Sequence, residues 1–327
     1  MTTRRAFLCG LSIALFTRAA ASSAQQTGRV YRIGNLSSST GQTENNRITL
    51  ERLRELGWTE GRNLVLENRF VGPDRERLTA AVKEMVDLRV DLILTGGGAE
   101  TPQIAMSATK TIPIVFAIAD DPVRLGLVKS LSRPAGNITG VSSMNAELDA
   151  KRLELLKEIV PNLRRVGVMW SPLDPSGAAV MSAAEGAARS LNLRLEPLPI
   201  LRAEDLADAF ADAKKRAVEA VAILGTPILF SHQRQIGELA LTAQIPTISS
   251  WRQLPEAGGL LSYGTNLSEL FRRVGDIVDK ILKGTQPAAI PVERPTKFEM
   301  VINMKTAKAL GLRIPESLLL RATRLIE

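Results

Sequence analysis

Apolar residues in this chain follow two alternating spacings, which predict strands and helices in turn. Short apolar runs such as 30–36 and 90–94 are typical of buried strands. Between them, the leucines of 44–56 recur every three residues and stop at Gly57, which indicates a helix and its end. The predicted strands are 30–36, 64–70, 90–94, 112–118, 166–170, 193–198, 220–224, 246–249, 260–263 and 298–304. The predicted helices are 44–56, 78–85, 102–108, one that begins at Asp121-Pro122, 150–159, 177–190, 203–216, 233–243, 267–283 and 305–310.

Strands that alternate with helices predict parallel βαβ units. There are two such series of about four or five strands each, which is more than one compact sheet usually needs. We therefore expect an α/β fold with two doubly wound parallel-sheet lobes. Ligands bind outside the carboxyl ends of strands in such sheets, and two facing lobes form a clamshell that closes around its ligand.

The first residues have the pattern of an export signal. Arg4 and Arg5 precede an apolar stretch over 6–16, and small residues then lead to a cleavage pattern that ends at Ala24. The stretch is shorter than the roughly 20 apolar residues of a transmembrane helix, although a retained membrane anchor is an alternative. We expect 1–24 to be a signal peptide, exported by the Sec or the twin-arginine route, and the rest of the chain to work in the periplasm.

Charge and composition argue against a nucleic-acid-binding protein. The chain has 327 residues and a formal net charge of +8, of which three arginines of the signal segment carry +3 and the remainder +5. Its basic residues are scattered among acidic ones, as on a solvated surface, and no basic stripe with interleaved aromatic residues occurs. We expect that the protein has no nucleic-acid partner and that it is a monomer.

The reactive side chains that enzymes use are scarce. Cys9 is the only cysteine and lies in the signal segment, so the exported chain would carry no thiol, disulfide or cysteine metal site. His232 is the only histidine, and one histidine makes neither a catalytic triad nor a zinc site. The sequence also lacks a P-loop and the G-x-S-x-G motif. We expect that the protein is not an enzyme and has no cofactor. A racemase with paired thiols is excluded if Cys9 is removed with the signal.

Strings along nearly the whole chain resemble the substrate-binding proteins of one family of ABC importers. They are LGWTEGRN at 56–63, TIPIVF at 111–116, DPV at 121–123, PAGNITG at 134–140, RLELLK at 152–157, EAGGLLSYG at 256–264, PTKFE at 295–299 and NMKTAKALG at 303–311. The resemblance implies a type I periplasmic-binding fold, with two α/β lobes joined by three crossing strands. It also implies ABC permease subunits in the inner membrane as partners, and some relatives take aromatic amino acids such as tryptophan.

Three crossings between lobes fit the chain, near 140–143, 262–264 and 293–298. Gly140 and Gly264 lie there and tolerate the backbone changes that a hinge needs. Plain turn glycines are the alternative. The division that follows is an N-terminal lobe of 29–142 plus 264–292 and a C-terminal lobe of 143–263 plus 293–327.

Candidate ligand contacts in the first lobe follow the predicted strands. Hydroxyl groups suit a small polar ligand, and bare glycine N–H groups suit a carboxylate or phosphate. A carboxylate at the end of 112–118 would neutralise an ammonium group. The alternative for the hydroxyl groups is a solvated loop that caps the next helix, and for the glycines it is a tight βα turn. The alternative for the carboxylate is a helix cap. The candidates are Ser37, Ser38, Thr40, Thr95, Gly96, Gly97 and Asp120.

Candidates in the second lobe lie at the equivalent strand ends and on a crossing strand. The tryptophans, Trp170 and Trp251, would stack on an apolar ligand part, or else pack at a lobe edge. The remaining candidates are polar: Ser171, Thr226, Ser250 and Tyr263. The hydroxyl-rich loop 37–40 and the loop 96–100, with its small residues and one acid, depart from the family's usual pattern, which argues against a tryptophan-like ligand.

These features predict an exported solute-binding receptor. It would capture a small polar ligand, such as an amino acid or a related compound, and deliver it to an ABC import permease. An extracytoplasmic sensor that presents its closed form to a chemoreceptor or sensor kinase is the alternative, since the same clamshell serves both. A transcription regulator with similar lobes would need a DNA-binding helix-turn-helix where the signal lies.

Overall fold

The structure is a computed structural model that describes residues 29–119, 121–174 and 177–327, with the backbone alone at 145–147 and 179. The predicted signal peptide and the candidate Asp120 lie outside the described residues. Within those ranges, no helix combines the length and the apolar character that crossing a membrane requires.

The described chain alternates strands and helices as the sequence predicts. The strands are β1 (Tyr31–Ser37), β2 (Leu64–Phe70), β3 (Leu92–Gly96), β4 (Ile114–Ala119), β5 (Ile138–Ser142), β6 (Arg165–Trp170), β7 (Arg194–Pro199), β8 (Ala220–Ile223), β9 (Thr247–Ser249), β10 (Leu261–Thr265), β11 (Phe298–Asn303) and β12 (Arg324–Ile326). The helices are α1 (Glu44–Glu55), α2 (Arg75–Asp87), α3 (Glu100–Ala108), α4 (Asn145–Ile159), α5 (Gly177–Ser190), α6 (Asp205–Lys215), α7 (Pro227–Ser231), α8 (Gln233–Ala243), α9 (Gln253–Glu256), α10 (Leu267–Leu282), α11 (Met304–Ala309) and α12 (Glu316–Arg321). A 3₁₀ turn covers Pro287–Ala289.

The strands form two sheets, and the predicted α/β fold with two lobes is confirmed. The first sheet has the order β2-β1-β3-β4-β5, with every neighbouring pair parallel. The second has the order β12-β11-β10-β9-β8-β6-β7. Its strands β7-β6-β8-β9-β10 repeat the topology of the first sheet, while β11 runs antiparallel to β10. Each lobe is thus a doubly wound sheet with its own reversal of strand order.

Apolar cores lie on both faces of each sheet, because parallel strands are covered by helices on both sides. In the first lobe, one core packs β1 and β3 against α1 and α10, and the other packs α2 and α3 on the opposite face. In the second lobe, α4 and α5 cover one face and α6 and α8 the other. Helix α10 therefore belongs to the first lobe, although it directly follows a strand of the second sheet.

The chain passes between the two sheets at three places. The first passage follows β5, where the N–H of Ser143 still donates to the carbonyl of Ala119 at 2.9 Å. The second lies between β10 and α10. The third follows Glu293, which bridges Val141 of β5 before the chain enters β11. The lobe boundaries given above remain a prediction.

The prediction of a helix that begins at Asp121 is wrong. The Asp121 side chain does accept a hydrogen bond from the N–H of Arg124 at 3.0 Å, as a helix cap would. The segment is nevertheless a turn, and Gly126 follows with a φ of 70°. The left-handed backbone at this glycine ends the turn before a helix can continue.

Gly140 and Gly264 lie in strands, and neither has a positive φ. A Cβ on Gly140 would lie 2.1 Å from the carbonyl oxygen of Phe116. A Cβ on Gly264 would lie 2.0 Å from the carbonyl oxygen of Ser250. Both glycines are thus explained by close approach of neighbouring backbone, which is neither of the roles that the sequence suggested.

Candidate functional site

A cleft between the lobes lies where strand order reverses in both sheets. In the first lobe, 37–39 follow β1 and 96–98 follow β3. In the second lobe, Asp174 follows β6 and 225–227 follow β8. All four segments line one cavity of about 230 Å³. Binding at such switch points is the general rule for doubly wound sheets, and here two of them face each other.

The serine loop after β1 is held by its own hydroxyl groups. The Oγ atoms of Ser37 and Ser39 lie 2.9 Å apart, and the N–H of Ser39 donates to Oγ of Ser37 at 3.1 Å. Ser38 Oγ donates to the carbonyl of Gly97 at 2.6 Å. These bonds join the two loops into one wall of the cleft and fix the positions of its hydroxyl groups.

Two glycines let the loop after β3 lie this close to its neighbours. Gly97 has a φ of 87°, and a Cβ there would lie 2.0 Å from Oγ of Ser38. Gly98 has a φ of 100°, and a Cβ there would lie 3.1 Å from Cγ of Pro227 in the second lobe. The two walls therefore approach to contact at this point, and the lobes are in a closed arrangement.

Amide side chains line the cleft beside the serine loop. Asn35 is 2% exposed, and its Nδ2 donates to Oδ1 of Asn68 at 2.7 Å. Its Oδ1 accepts from Nδ2 of Asn46 at 3.1 Å. Asn35 and Asn46 both line the cavity, as do Asn45 and Thr49 on the same helix, α1. The polar face of α1 thus continues the polar wall.

Aromatic side chains supply the apolar part of the cleft. Phe70, Phe230, Trp251 and Phe271 line the cavity. The rings of Phe230 and Trp251 meet edge to face, with centroids 5.0 Å apart and an angle of 71°. An aromatic ligand part would find edges and faces of aromatic rings here.

Thr226 places an unpaired hydroxyl in the second-lobe wall. The residue lines the cavity and is 1% exposed, and its Oγ1 has no hydrogen-bond partner. A buried hydroxyl without a partner costs free energy, so a polar group beside it would stabilise the structure.

Asp174 is the one charged side chain among the described residues that line the cavity. It is half-buried and follows β6. A carboxylate at this position suits a ligand with a cationic group. Asp120, for which the sequence predicts this role, lies outside the described residues.

The candidates differ in whether they line the main cavity. Seven of the thirteen do: Ser37, Ser38, Thr95, Gly96, Gly97, Thr226 and Trp251. Thr40, Trp170 and Ser171 are outside that lining, and Ser250 lines a second cavity. Tyr263 stacks on Phe298 with centroids 6.2 Å apart and is also outside the lining. Asp120 lies outside the described residues, and ligand contact at each candidate stays a prediction.

Sequence reasoning missed the three phenylalanines and the polar face of α1. Phe70 ends the predicted strand 64–70, and in the structure it pairs with Ser37 across β1 and β2 and so lies level with the serine loop. Of the two tryptophans predicted as aromatic contacts, Trp170 and Trp251, only Trp251 lines the cavity. The polar face of α1 could have been recognised from Asn45, Asn46 and Thr49, which directly follow the hydroxyl-rich loop.

A family model described as ABC transporter substrate binding protein matches residues 41–326. The chain belongs to this family. Its members bind solutes and are not enzymes, and they typically act outside the cytoplasm. The resemblance found in the sequence is thereby confirmed.

The chain is similar to one curated protein and to several solved structures. It is 26% identical over 266 residues to the tyrosine-binding protein of Clostridioides difficile, covering 81% of this chain and 75% of that protein. Among solved structures, the ABC domain in complex with L-Trp from Streptococcus pneumonia has a TM-score of 0.83 at 26% identity, covering 91% of this chain and 100% of that chain. A conserved domain protein from Vibrio cholerae has a TM-score of 0.84, also at 26% identity and with the same coverage of both chains.

Proposed function

We propose that this protein is an exported receptor that captures an aromatic L-amino acid between its lobes and delivers it to an ABC import permease. Membership of the substrate-binding family supports the transport role. The observation that carries the proposal is the cleft itself, which is lined by the switch points of both sheets. A ligand that contacts both walls stabilises the closed form, because it binds that form better than the open one.

The chemistry of the cleft matches the parts of an aromatic amino acid. The backbone of 96–98 suits a carboxylate. The hydroxyl groups of Ser38 and Ser39 donate to the carbonyls of Gly97 and Gly41, so their oxygens remain as acceptors for an ammonium group. Asp174 suits the ammonium group, and the aromatic rings beside Trp251 suit the side chain. Relatives that are named for tyrosine binding or contain L-Trp support this ligand class.

This proposal revises the expectation that the ligand is not tryptophan-like. That expectation rested on the serine loop and the glycine loop, which are polar or small. In the structure these loops form one wall, and the aromatic residues that line the cleft come from other segments of the chain. Small polar loops are thus compatible with an aromatic ligand whose charged end they bind.

Calorimetry with the chain from residue 25 onward tests the proposal. The protein is unfolded, dialysed and refolded to remove any ligand carried through purification, then titrated with each L-amino acid. We expect one-to-one binding of L-tyrosine or L-tryptophan. Failure of every amino acid to bind a well-folded sample would contradict the proposal.

A variant pair tests whether the cleft is the binding site. Thr226→Val keeps the shape of the side chain but removes the unpaired hydroxyl, and we expect the Kd to rise roughly tenfold. Thr242→Val is the control, since Thr242 is exposed on α8 and its hydroxyl donates to the carbonyl of Glu238 at 2.9 Å. Equal affinities of the two variants would place the ligand elsewhere.

A further inference from the structure

A second cavity lies between the lobes, beside the main cleft. Its volume is about 20 Å³, and it is lined from the first lobe by Glu44 and Asn45 of α1. The second lobe contributes 250–253, and β10, α10 and β11 contribute Ser262, Thr265, Leu267, Ser268 and Glu299. Asn45, Trp251 and Leu267 line both cavities and so form the partition between them. Because both lobes supply walls, this cavity exists only when the lobes are closed.

Two buried polar atoms at this cavity have no hydrogen-bond partner. They are Oγ of Ser250, in a residue 6% exposed, and Oε1 of Gln253. Both residues line the cavity. Leaving such atoms unpaired is costly, and buried waters commonly satisfy them. A water occupies on the order of 10–15 Å³ by this measure, so the cavity has room for one.

We infer that the second cavity is a binding site for a single ordered water that bridges Ser250 and Gln253. The water donates one hydrogen to Oε1 of Gln253 and forms a second hydrogen bond with Oγ of Ser250. Glu299 lines the same cavity and can accept the other hydrogen. Ser250, Gln253 and Glu299 all belong to the second lobe, so the water stabilises the wall of that lobe, and Glu44 and Asn45 of the first lobe close the cavity over it.

A crystal structure at high resolution tests the inference, whatever occupies the main cleft. In a crystal where the lobes are closed, we expect density for one water at hydrogen-bond distance, roughly 2.7–3.2 Å, from both atoms. A cavity without density would overturn the inference. So would side chains of Ser250 and Gln253 turned onto protein partners, or oxygen atoms at about 2.3–2.6 Å from the density, which would indicate a cation.

A double-mutant cycle in urea provides a second test. It is run with L-tyrosine or L-tryptophan at saturation so that the lobes are closed, and in this respect it rests on the proposed function. Ser250→Ala and Gln253→Met each remove one hydrogen bond to the water, so each should lower the unfolding midpoint by roughly 0.3 M. The double variant removes both atoms, so its midpoint should fall by less than the sum of the two shifts. Ser190→Ala, at an exposed helix end of the same lobe, is the control and should have no effect. Additive shifts, or no shift in the single variants, would overturn the inference.

Discussion

At the scale of single residues, the cleft wall depends on two glycines, because the absence of a Cβ leaves room for neighbouring side chains. Gly97 has no Cβ where Ser38 places its hydroxyl, and the bond from that hydroxyl to the Gly97 carbonyl joins the two loops. Gly98 likewise leaves room for Pro227 of the other lobe. Gly97 and Gly98 are thus explained by the residues on the two sides of the loop.

Replacement of Gly97 tests this explanation. Gly97→Ala forces a side chain into a backbone with φ of 87° and places its Cβ 2.0 Å from Oγ of Ser38. We expect the free energy of unfolding to fall by about 1–3 kcal/mol. Gly41→Ala is the matched control, since a Cβ there has nothing within 4 Å and its φ is not positive. Urea unfolding measures both; equal losses would show that the Gly97 backbone is not constrained.

The sequence located the polar loops of the site but not its aromatic part. Loops at strand ends can be recognised locally, because the strand pattern stops at Ser37 and at Gly96. Phe70 is 33 residues from Ser37 along the chain, and only the register of β1 with β2 places the two side by side. Such contacts depend on tertiary packing, which a single sequence does not show.

At the scale of elements, helix α10 joins the lobes because it follows a strand of the second sheet and packs against the first. Its buried face includes Leu270, Val274 and Ile277, and the apolar spacing of these residues made the helix predictable. Helices α7, α9 and α12 escaped prediction because each has at most six residues, too few to show a period. Of the four described helices with at most six residues, the sequence predicted only α11.

Gly275 allows α10 to approach α1 closely. A Cβ there would lie 2.8 Å from Cβ and Cγ of Arg52 and 3.2 Å from the carbonyl oxygen of Thr49. Gly275→Ala should therefore push the helices apart and lower the free energy of unfolding by about 1–3 kcal/mol. The measurement is urea unfolding.

Gly186→Ala provides the control for that prediction, because Gly186 also lies inside a helix. Its nearest contact to an added Cβ is the flexible end of Arg189 at 3.8 Å. Alanine is the better helix former, so this variant should gain about 0.5–1 kcal/mol. Equal effects at the two positions would show that helix propensity alone acts at Gly275.

The contact of α1 with α10 also predicts a pH dependence. Arg272 of α10 holds Glu55 of α1 through two hydrogen bonds of 2.6 Å and 3.0 Å, and Arg52 adds a third. These arginines lower the pKa of Glu55 from 4.5 to about 2. A lowered pKa stabilises the folded state above the unfolded value, and this stabilisation is lost as the pH falls through the folded value.

The stability of Glu55→Gln should therefore differ from that of the wild type in a pH-dependent way. The free energies of unfolding of the variant and the wild type should differ most above pH 4.5 and should converge as the pH falls toward about 2. Urea unfolding at a series of pH values measures this difference. A difference that stays constant down to the lowest pH would contradict the assignment, and so would one that grows as the pH falls.

At the scale of the whole molecule, two sheets with the same strand order face each other across one cleft. The repeated strand–helix series predicted both sheets, and the passages of the chain between them fall close to the positions expected from sequence. How near the lobes approach was not predictable, because the contact of Gly98 with Pro227 joins residues more than a hundred positions apart. The proposed capture of a ligand requires that these walls separate and close again.

Small-angle scattering of the refolded, ligand-free chain from residue 25 onward tests this closure most directly. We expect the radius of gyration to decrease when L-tyrosine or L-tryptophan is added to saturation, because ligand contact with both walls favours the closed form. The amino acid that produces this change should be the one that binds in calorimetry. An unchanged radius of gyration with ligand bound would contradict capture by closing lobes.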